Sequence, residues 1–280
     1  MQIKTVTLLH PGSMGATIGA SVNGARVLWV SSGRSEESRQ RASKAGLIDV
    51  ATLVEAIGES DSVLSVCPPH AAERVAQGVA DLGFAGLYLD ANAISRATAK
   101  RVRDIVDKSG AQFVDGGIIG PPVAKLGRTR LYLSGPEAAT VADLFSGSML
   151  DARVIEGDVG AASALKMAYA AWTKGSDALI LAIRALAARE GVEEALLQEW
   201  VGSQPSLPRK SERAALVAAP KGWRYVGEME EIAASFEAAG LPGGFHKAAA
   251  DLYRRLAPFK DRIDPGPEVK EVLAVLHQCS

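Results

Sequence analysis

The stretch Leu8-Leu9-His10-Pro11-Gly12-Ser13-Met14-Gly15-Ala16-Thr17-Ile18-Gly19 decides the fold of this 280-residue chain. An apolar, β-type run ends at a turn, and small residues then open a helical pattern. A helix that begins at such a turn offers free N–H groups and a positive dipole end, which favour phosphate groups. The stretch therefore predicts a phosphate-binding turn between a first strand and a first helix.

This turn is similar to the G-x-G-x-x-G pattern of dinucleotide-binding sites, although His10 stands where the pattern has its first glycine. We expect Pro11, which fixes φ, to let the backbone turn without that glycine. The imidazole is then expected near the cofactor or near the loop after the second strand. An ordinary strand-to-helix turn is the alternative interpretation. The predicted cofactor contacts of the turn are His10, Pro11, Gly12, Ser13, Met14 and Gly15.

The composition is that of an ordinary globular protein, with 48% hydrophobic residues, 22% charged residues and a net charge of -1. Such a charge offers no basic surface for nucleic acid. The apolar run from 178 to 188 is interrupted by Arg184 and is too short to span a membrane. Since the N-terminus does not resemble a signal peptide, we expect a cytoplasmic protein without nucleic-acid or membrane partners.

The cysteines and histidines do not predict a metal site. Cys67 and Cys279 are too few for a disulfide framework and have no metal-ligand spacing. The four histidines have no such spacing either: His10, His70, His246 and His277. We therefore expect no metal.

The first part of the chain alternates short β-type runs with helical stretches, which predicts a parallel sheet covered by helices on both faces. The predicted strands are Thr5–Leu9, Arg26–Val30, Ser62–Val66, Gly86–Asp90, Gln112–Asp115 and Thr129–Ser134. The predicted helices between them are 14–23, 35–44, 70–81 and 95–108. In such a sheet, ligands bind past the carboxyl ends of the strands, where the strand order reverses.

After residue 158 the β-type runs disappear, and 161–190 is predicted to form one long helix. Further helices are expected at 193–202, 208–218, 226–239 and 243–257 and after Pro265, with breaks at glycines and prolines that include Pro220. The predicted fold class is α/β. A Rossmann-type, doubly wound parallel sheet occupies residues 1–158, and a long interdomain helix joins it to an all-α C-terminal domain at 159–280.

Ser31, Ser32 and Arg34 follow the second strand, about twenty residues past the glycines. An NAD site has a carboxylate there to bind the ribose 2′-hydroxyl, but no carboxylate precedes Glu36. A guanidinium group matches the oxygens of a 2′-phosphate. The sequence therefore favours NADP(H) over NAD(H), unless Arg34 is simply a solvated loop residue.

Two further strand ends contribute candidate residues. Cys67, Pro68 and Pro69 form a turn that is expected to flank the cofactor, and Cys67 is interpreted as a small buried residue rather than a nucleophile. Asn92 follows the next strand. It either binds the nicotinamide ribose or the substrate, or simply forms a turn.

Residues 113–135 are predicted to place a glycine-rich loop between two strands, beside the expected ligand site. The long helix carries Lys166, Thr173, Lys174 and Asp177 on one face. On such an apolar helix, Lys166 either reaches solvent along its stem or faces a cleft.

Together these motifs resemble the β-hydroxyacid dehydrogenases, a superfamily that includes 3-hydroxyisobutyrate dehydrogenase, 6-phosphogluconate dehydrogenase and the related imine reductases. The resemblance rests on the turn at 10–19, the Ser-Ser-Gly-Arg-Ser loop, the Asp-Gly-Gly-Ile-Ile-Gly-Pro-Pro segment and the Gly160…Lys166 pair. Asp-Ala-Asn-Ala-Ile-Ser and Gly-Phe-His-Lys-Ala look like a phosphogluconate-dehydrogenase-like subgroup with its own C-terminal domain. The resemblance implies that Lys166 is the catalytic acid and base.

The chain departs from the family at its substrate-binding positions. The family's Ser-Gly-Gly falls on Ile119, Gly120 and Pro121, and its asparagine after the lysine falls on Ala170. The resemblance therefore implies a substrate less polar than a small hydroxy acid, or one held by other groups. The candidates for these groups are Asn92, Lys174, Trp223 and His246.

The expected function is that of an NADP(H)-dependent oxidoreductase acting on hydroxyl and carbonyl groups of a small molecule. An imine reductase and a non-catalytic NADP-binding protein are the alternatives. Lysine at 166 argues against imine reduction, because imine reductases of this kind commonly replace it. The long, alanine-rich helix and the helical domain also predict a homodimer.

Overall fold

The computed structural model describes residues 3–277, so Cys279 lies outside the described residues. The chain divides into two compact units, residues 1–167 and 168–280. The division falls inside the long helix, nine residues after the expected boundary at 158.

An eight-stranded sheet forms the centre of the first unit, in the order β3-β2-β1-β4-β5-β6-β7-β8. The strands are β1 (Thr5–Leu8), β2 (Arg26–Val30), β3 (Ile48–Val50), β4 (Ser62–Ser65), β5 (Leu87–Asp90), β6 (Gln112–Ile119), β7 (Arg130–Ser134) and β8 (Asp151–Val154). The chain first moves outward from β1 to β3 and then resumes at β4 on the other side of β1. The strand order therefore reverses between β1 and β4, and their carboxyl ends open the crevice in which such sheets bind ligands.

Neighbouring strands are parallel except for β6 and β7, which are antiparallel. The predicted parallel sheet is therefore confirmed, with this one antiparallel pair as the departure. Antiparallel neighbours need no crossover helix, and residues 120–129 connect β6 directly to β7.

Helices cover both faces of the sheet, as the alternating sequence pattern predicts. They are α1 (Ser13–Gly19), α2 (Glu36–Lys44), α3 (Leu53–Gly58), α4 (Ala72–Ala80), α5 (Arg96–Val106) and α6 (Ala138–Asp143). Successive strand residues point to opposite faces. Leu87 and Leu89 belong to the core that contains Ile18 of α1, whereas Tyr88 belongs to the core that contains Val102 of α5. The N-terminal unit is thus a doubly wound α/β sheet.

The sequence patterns do not predict four short elements: β3, α3, α6 and β8. Each has six residues or fewer, too few to establish a period of 2 or 3.6. The predicted glycine-rich loop is also wrong at its start, at Gly116 and Gly117. Both lie inside β6, which continues to Ile119.

Among its described residues, the second unit contains helices and no strand. The long helix α7 (Ala161–Arg189) runs across the division, and four helices follow: α8 (Glu193–Ser203), α9 (Leu207–Ala238), α10 (Gly244–Arg255) and α11 (Val269–Leu276). Within the described part of the chain, no helix combines the length and apolar character that a membrane crossing requires.

The predicted break at Pro220 is wrong, because α9 continues through this residue. Proline removes one helical hydrogen bond, so packing must compensate for the loss. Pro220 is buried, and its carbonyl accepts a hydrogen bond from the Asp261 N–H at 3.1 Å. A Cβ on Gly222 would lie 3.3 Å from the Tyr253 carbonyl oxygen, so α9 packs closely against α10 here. Tertiary contacts thus override the local preference of the sequence.

Candidate active site

The β1–α1 turn has the form of a phosphate cradle. Gly12 precedes α1 with φ -67° and ψ -178°, and no side chain caps the helix. A Cβ on Gly12 would meet no atom within 4 Å, so the space above the turn is open. A Cβ on Gly15 would instead overlap the carbonyl oxygen of His10. Gly15 therefore serves the close packing of helix against turn, and Gly12 leaves the backbone accessible to a ligand.

His10 lies at the entry of the turn, half-buried. Its Nδ1 is buried and has no hydrogen-bond partner among the described residues. Burial, together with the smaller effect of the positive charges of Arg34 and Arg74, lowers the pKa of the imidazole to about 4. The ring is therefore neutral at physiological pH, with one nitrogen donating and the other accepting.

The β2–α2 loop lies against this turn. Ser31 is buried and Ser32 is exposed. Arg34 donates a hydrogen bond from Nη2 to the Leu9 carbonyl at 3.0 Å, which ties the loop to the end of β1. A guanidinium group has five N–H donors, so most of those on Arg34 remain for other partners.

Two further arginines join this region, and the sequence interpretation missed them. Arg39 donates to the Ser31 carbonyl at 3.0 Å, and Arg41 donates from Nε to the Pro11 carbonyl at 3.2 Å. The available signal was the recurrence of arginine at 34, 39 and 41, just after the second strand. Three guanidinium groups therefore surround the two turns, and their positive charge favours an anionic ligand.

The ends of β4 and β5 are tied together through Asn92, which is 2% exposed. Asn92 Oδ1 accepts from the Cys67 N–H at 2.5 Å, and Asn92 Nδ2 donates to Ser65 Oγ at 3.1 Å and to Asp90 Oδ2 at 2.8 Å. Both amide hydrogens of Asn92 are thus used inside the protein, and only a second lone pair on Oδ1 remains for a ligand.

The Cys67 thiol next to Asn92 is not a nucleophile. Burial, helped by the negative charge of Asp90, raises its pKa to about 12, so the thiol stays protonated at neutral pH. Pro68 and Pro69 follow, and Pro69 opens a single 3₁₀ turn before α4. Cys67 therefore behaves as the small buried residue that the sequence indicated.

The connection from β6 to β7 is closed by a hydrogen bond between residues near its two ends. Ile119 is the last residue of β6 and is buried. Gly120 has φ +129°, a conformation that favours glycine, and the Pro121 carbonyl accepts a hydrogen bond from Thr129 Oγ1 at 2.6 Å. A buried isoleucine therefore occupies the position that the sequence resemblance aligns with a substrate-binding serine.

Lys166 lies on α7 where this helix crosses β6. A Cβ on Gly117 would come within 3.2 Å of Lys166 Cβ and 2.6 Å of the Ala162 carbonyl oxygen, so only glycine allows this approach. Lys166 is half-buried, and the described part of the chain provides no hydrogen-bond or ion-pair partner for its ammonium group. Burial lowers its pKa to about 8. The structure thus presents an unpaired, desolvated amine, the state that favours proton transfer.

The remaining candidates belong to the second unit. Ala170 is fully buried. Lys174 forms an ion pair with Glu228, and its Nζ lies 4.9 Å from the centre of the Tyr225 ring. The sequence did not identify Glu228, because it lies on a different helix with no recognisable spacing from Lys174. Lys174 is therefore a paired cation, unlike Lys166.

His246 and Trp223 each contain a buried ring nitrogen without a hydrogen-bond partner in the described residues, Nδ1 and Nε1 respectively. His246 packs against Phe236 and Phe245, with ring centres 4.4 and 5.1 Å away, and burial lowers its pKa. The Trp223 ring lies 4.5 Å from Lys260 Nζ. Each ring therefore combines an apolar face with one ring nitrogen that lacks a hydrogen-bond partner among the described residues.

Among residues 3–277, no group of three or more histidine, cysteine, aspartate or glutamate side chains is arranged to hold a metal ion. The charged side chains around the β1–α1 turn are arginines, which suit phosphate oxygens rather than a cation.

Comparison with known proteins identifies a domain family and a curated relative. Residues 187–256 match a family described as "Domain of unknown function (DUF1932)". Over 166 residues, the chain is 30% identical to an uncharacterized 28.5 kDa protein in the 7S RNA 5′ region of Methanothermus fervidus. That match covers 59% of this chain and 63% of the length of the relative.

Solved structures share the whole fold. A 3-hydroxyisobutyrate dehydrogenase of Mycobacterium tuberculosis, solved with L-serine, has a TM-score of 0.70 and 19% identity, over 99% of this chain and 100% of that chain. A reductive aminase of Aspergillus terreus, solved with NADPH and ethyl levulinate, has a TM-score of 0.56 and 19% identity, over 98% and 99% of the two chains. The resemblance inferred from the sequence is thus confirmed at the level of the fold.

Proposed function

We propose that this chain is an NADP(H)-dependent oxidoreductase that interconverts a hydroxyl and a carbonyl group by hydride transfer, with Lys166 as general acid and base. The observation that carries the proposal is the half-buried, unpaired Lys166 ammonium group with its pKa near 8. A general acid and base works best when its pKa lies near the working pH. The fold it shares with a dehydrogenase and a reductase supports the same reaction class.

The β1–α1 turn fits the pyrophosphate of a dinucleotide. The open space above Gly12 and the uncapped N–H groups of Ser13 and Met14 are suited to phosphate oxygens. His10 would contribute one neutral hydrogen bond, and Cys67, Pro68 and Pro69 would border the cofactor on the β4 side. The nicotinamide, when bound, supplies the hydride chemistry.

The proposed preference for NADP(H) is supported by the β2–α2 loop. Ser32 and Arg34 are proposed to bind the 2′-phosphate, because Arg34 is anchored through one donor and keeps the others. Arg39 and Arg41 add positive charge to the same loop region. The absence of a carboxylate between the end of β2 and Glu36 removes the partner that NAD would need.

Lys166 would act in opposite protonation states in the two directions. In carbonyl reduction the ammonium group gives a proton to the substrate oxygen, so the rate falls as the pH rises through about 8. In oxidation the neutral amine takes the hydroxyl proton, so the rate rises through the same pH. This opposite dependence on pH is a direct consequence of the lowered pKa.

The substrate is proposed to be a small molecule that is less polar than a hydroxy acid. Ile119, Gly120 and Pro121 offer it no side-chain hydroxyl, and Ala170 offers no amide. Polar contacts from Asn92, Lys174 and His246 and an aromatic contact from Trp223 are the candidates to replace them. The buried, unpartnered nitrogens of His246 and Trp223 favour these two.

Imine reduction is the second candidate, because the fold is shared with a reductive aminase solved with NADPH. The same hydride geometry would serve a C=N bond. Lys166 favours the carbonyl reaction, since imine reductases of this kind commonly replace the lysine. A cofactor-binding protein without turnover is the third possibility.

A fluorescence titration with NADPH, followed by a panel of carbonyl and imine substrates, tests these alternatives. We expect binding of NADPH and turnover of a carbonyl compound, and a loss of about 10²–10⁴-fold in turnover on Lys166→Ala. Turnover that stays within about threefold would show that Lys166 is not the acid and base. Turnover confined to C=N substrates would favour the reductase, and binding without any turnover would favour the non-catalytic protein.

A homodimer is proposed from the exposed side of α7. Large apolar side chains recur along this helix at spacings of three, seven, four and three residues, which is the pattern of a helix-packing seam with Ser176 at one of its positions. Its members in the second unit are Tyr169, Trp172, Leu179, Ile183 and Leu186, of which Trp172 is 69% and Leu186 60% exposed. A second copy of the chain would cover this stripe.

Light scattering at micromolar concentration tests the dimer. We expect twice the monomer mass for the unmodified chain and the monomer mass for Leu179→Asp. Val201→Asp is the control, because Val201 is also apolar and exposed, at 63% against 46% for Leu179, but lies on α8. A monomeric mass for the unmodified chain would remove the proposal.

A further inference from the structure

The first turn of α7 is bonded mainly by side chains of the sheet, and only its first N–H, that of Ala161, donates to a preceding residue, the Asp158 carbonyl, at 3.0 Å. The N–H groups of a first helical turn have no partner within the helix. Here the Ala162 N–H donates to Ser134 Oγ at 3.1 Å, and the Ser163 N–H donates to Asp115 Oδ2 at 3.0 Å. Gly160, which has φ +93° and precedes the helix, has no side chain to do this. Side chains from β6 and β7 therefore fix where α7 begins.

Asp115 is the centre of this arrangement. Its carboxylate is fully buried and accepts three hydrogen bonds: from Ser134 Oγ at 2.9 Å, from the Ser163 N–H, and from Ser163 Oγ. Ser134 and Ser163 are buried as well. A negative charge at a helix N-terminus is favourable, and a buried carboxylate is stable only when donors surround it in this way.

The same contacts determine the place of Lys166. Residues three apart on a helix are neighbours on its surface, so Ser163 and Lys166 lie one above the other, with a rise of about 4.5 Å. On β6, Asp115 and Gly117 point to the same side because they are two residues apart. Asp115 thus binds α7 at Ser163, and Gly117 lets the helix approach at Lys166. Together they set the rotation of α7 about its axis and the position of Lys166 along that axis.

We propose that Asp115 is a positioning residue for the reaction, which holds Lys166 at the reacting atoms by anchoring the first turn of α7 through Ser163. This inference rests on the proposed function, in which Lys166 transfers the proton. A shift of about 1 Å in a catalytic group costs about 10²-fold in rate. A carboxylate that acts only through Ser163 and the position of α7 can therefore change the turnover.

The decisive variants are Asp115→Asn and Ser163→Ala. Asparagine has one oxygen acceptor in place of two and no charge, so it cannot accept all three hydrogen bonds. We expect kcat to fall by about 10- to 100-fold in Asp115→Asn and by a smaller factor in Ser163→Ala, which keeps its backbone N–H bond. The affinity for NADPH should stay within about twofold of the unmodified value, since none of these residues touches the β1–α1 turn.

A second measurement does not depend on activity. Competitive acetylation of lysines across a pH series, read by mass spectrometry, gives the pKa of Lys166 directly. We expect a value near 8 in the unmodified protein and a value closer to that of an exposed lysine in both variants, because a displaced helix exposes the amine. A merely stabilising role for Asp115 would not move this titration.

Thr52→Ala is the matched control. Thr52 caps α3 in the same unit, with its hydroxyl accepting from the Glu55 N–H at 3.2 Å, and it lies far along the chain from α7. Its loss should lower stability like the loss of any helix cap, and kcat and the Lys166 titration should remain unchanged. If Asp115→Asn fails to fold, Ser163→Ala and Ser134→Ala provide the same comparison with smaller losses.

The outcomes separate the inference from the proposed function. The inference is overturned if Asp115→Asn and Ser163→Ala keep both the kcat and the Lys166 pKa of the unmodified chain, or if kcat falls without a change in that pKa. If Lys166→Ala retains turnover while the Lys166 pKa rises in Asp115→Asn, the proposed function fails and the anchoring of the lysine stands.

Discussion

The β1–α1 turn and the Lys166 region are built in different ways. The turn is made mainly of backbone from one short stretch of chain, with Gly12 and Gly15 three residues apart. Lys166 is held by side chains that are distant in sequence, because Asp115 and Ser163 are 48 positions apart. A site made of local backbone can be recognised as a motif, whereas a site made of long-range side-chain contacts has no spacing to recognise.

If the two regions are as separate as this comparison indicates, pH should change the reaction rate, which depends on Lys166. It should leave NADPH binding at the β1–α1 turn unchanged. Because burial lowers the Lys166 pKa to about 8, we expect the rate of carbonyl reduction to fall about tenfold per pH unit above that value. Between pH 8, where about half of Lys166 is protonated, and pH 10 this is a loss of about 50-fold. NADPH affinity should stay flat over the same range, which a fluorescence titration measures. A flat rate profile would contradict the assignment of Lys166.

Gly12→Ala tests the turn alone. The added methyl group meets no protein atom within 4 Å, so stability should not change. The same group would occupy the proposed pyrophosphate space, at a cost of about 1–3 kcal/mol, or about 10- to 100-fold in NADPH affinity.

Gly15→Ala provides the contrast for Gly12→Ala, because its methyl group would overlap the His10 carbonyl oxygen and should lower the melting temperature. The melting temperature and NADPH affinity of both variants can be measured together. Equal NADPH affinity in Gly12→Ala and the unmodified chain would place the phosphates elsewhere.

Arg34→Ser tests the choice between cofactors. Loss of a charge-assisted hydrogen bond should weaken NADPH binding by about tenfold and leave NADH binding within about twofold. Arg26→Ser is the control, because Arg26 begins β2 and pairs with the exposed Glu59 at the opposite end of the strand. A parallel loss of NADPH and NADH affinity would show that Arg34 does not distinguish them.

His10→Gly should have the smallest effect. A neutral imidazole contributes one hydrogen bond, so NADPH affinity should fall by about three- to tenfold. Since the pKa of His10 is lowered to about 4, the difference between the two proteins should be the same at pH 6 and at pH 8. No loss at all would mean that the histidine is merely tolerated at the position of the first glycine.

The sequence predicted most of the candidate site of the first unit and less of the second. His10, Gly12, Arg34, Cys67 and Asn92 all lie around the β1–β4 crevice, because the carboxyl ends of parallel strands meet at one edge. The sequence did not reveal that the amide hydrogens of Asn92 are used inside the protein, since this depends on Ser65 and Asp90.

Alternation of short strands and helices, with glycines at one strand-to-helix turn, was sufficient to determine the doubly wound sheet and its ligand edge, because these patterns are local. Tertiary structure alone decided three other features: the antiparallel β6–β7 pair, the passage of α9 through Pro220 and the burial of Lys166. Each depends on packing between residues far apart in the chain, and packing energies exceed the local preferences that a sequence pattern records.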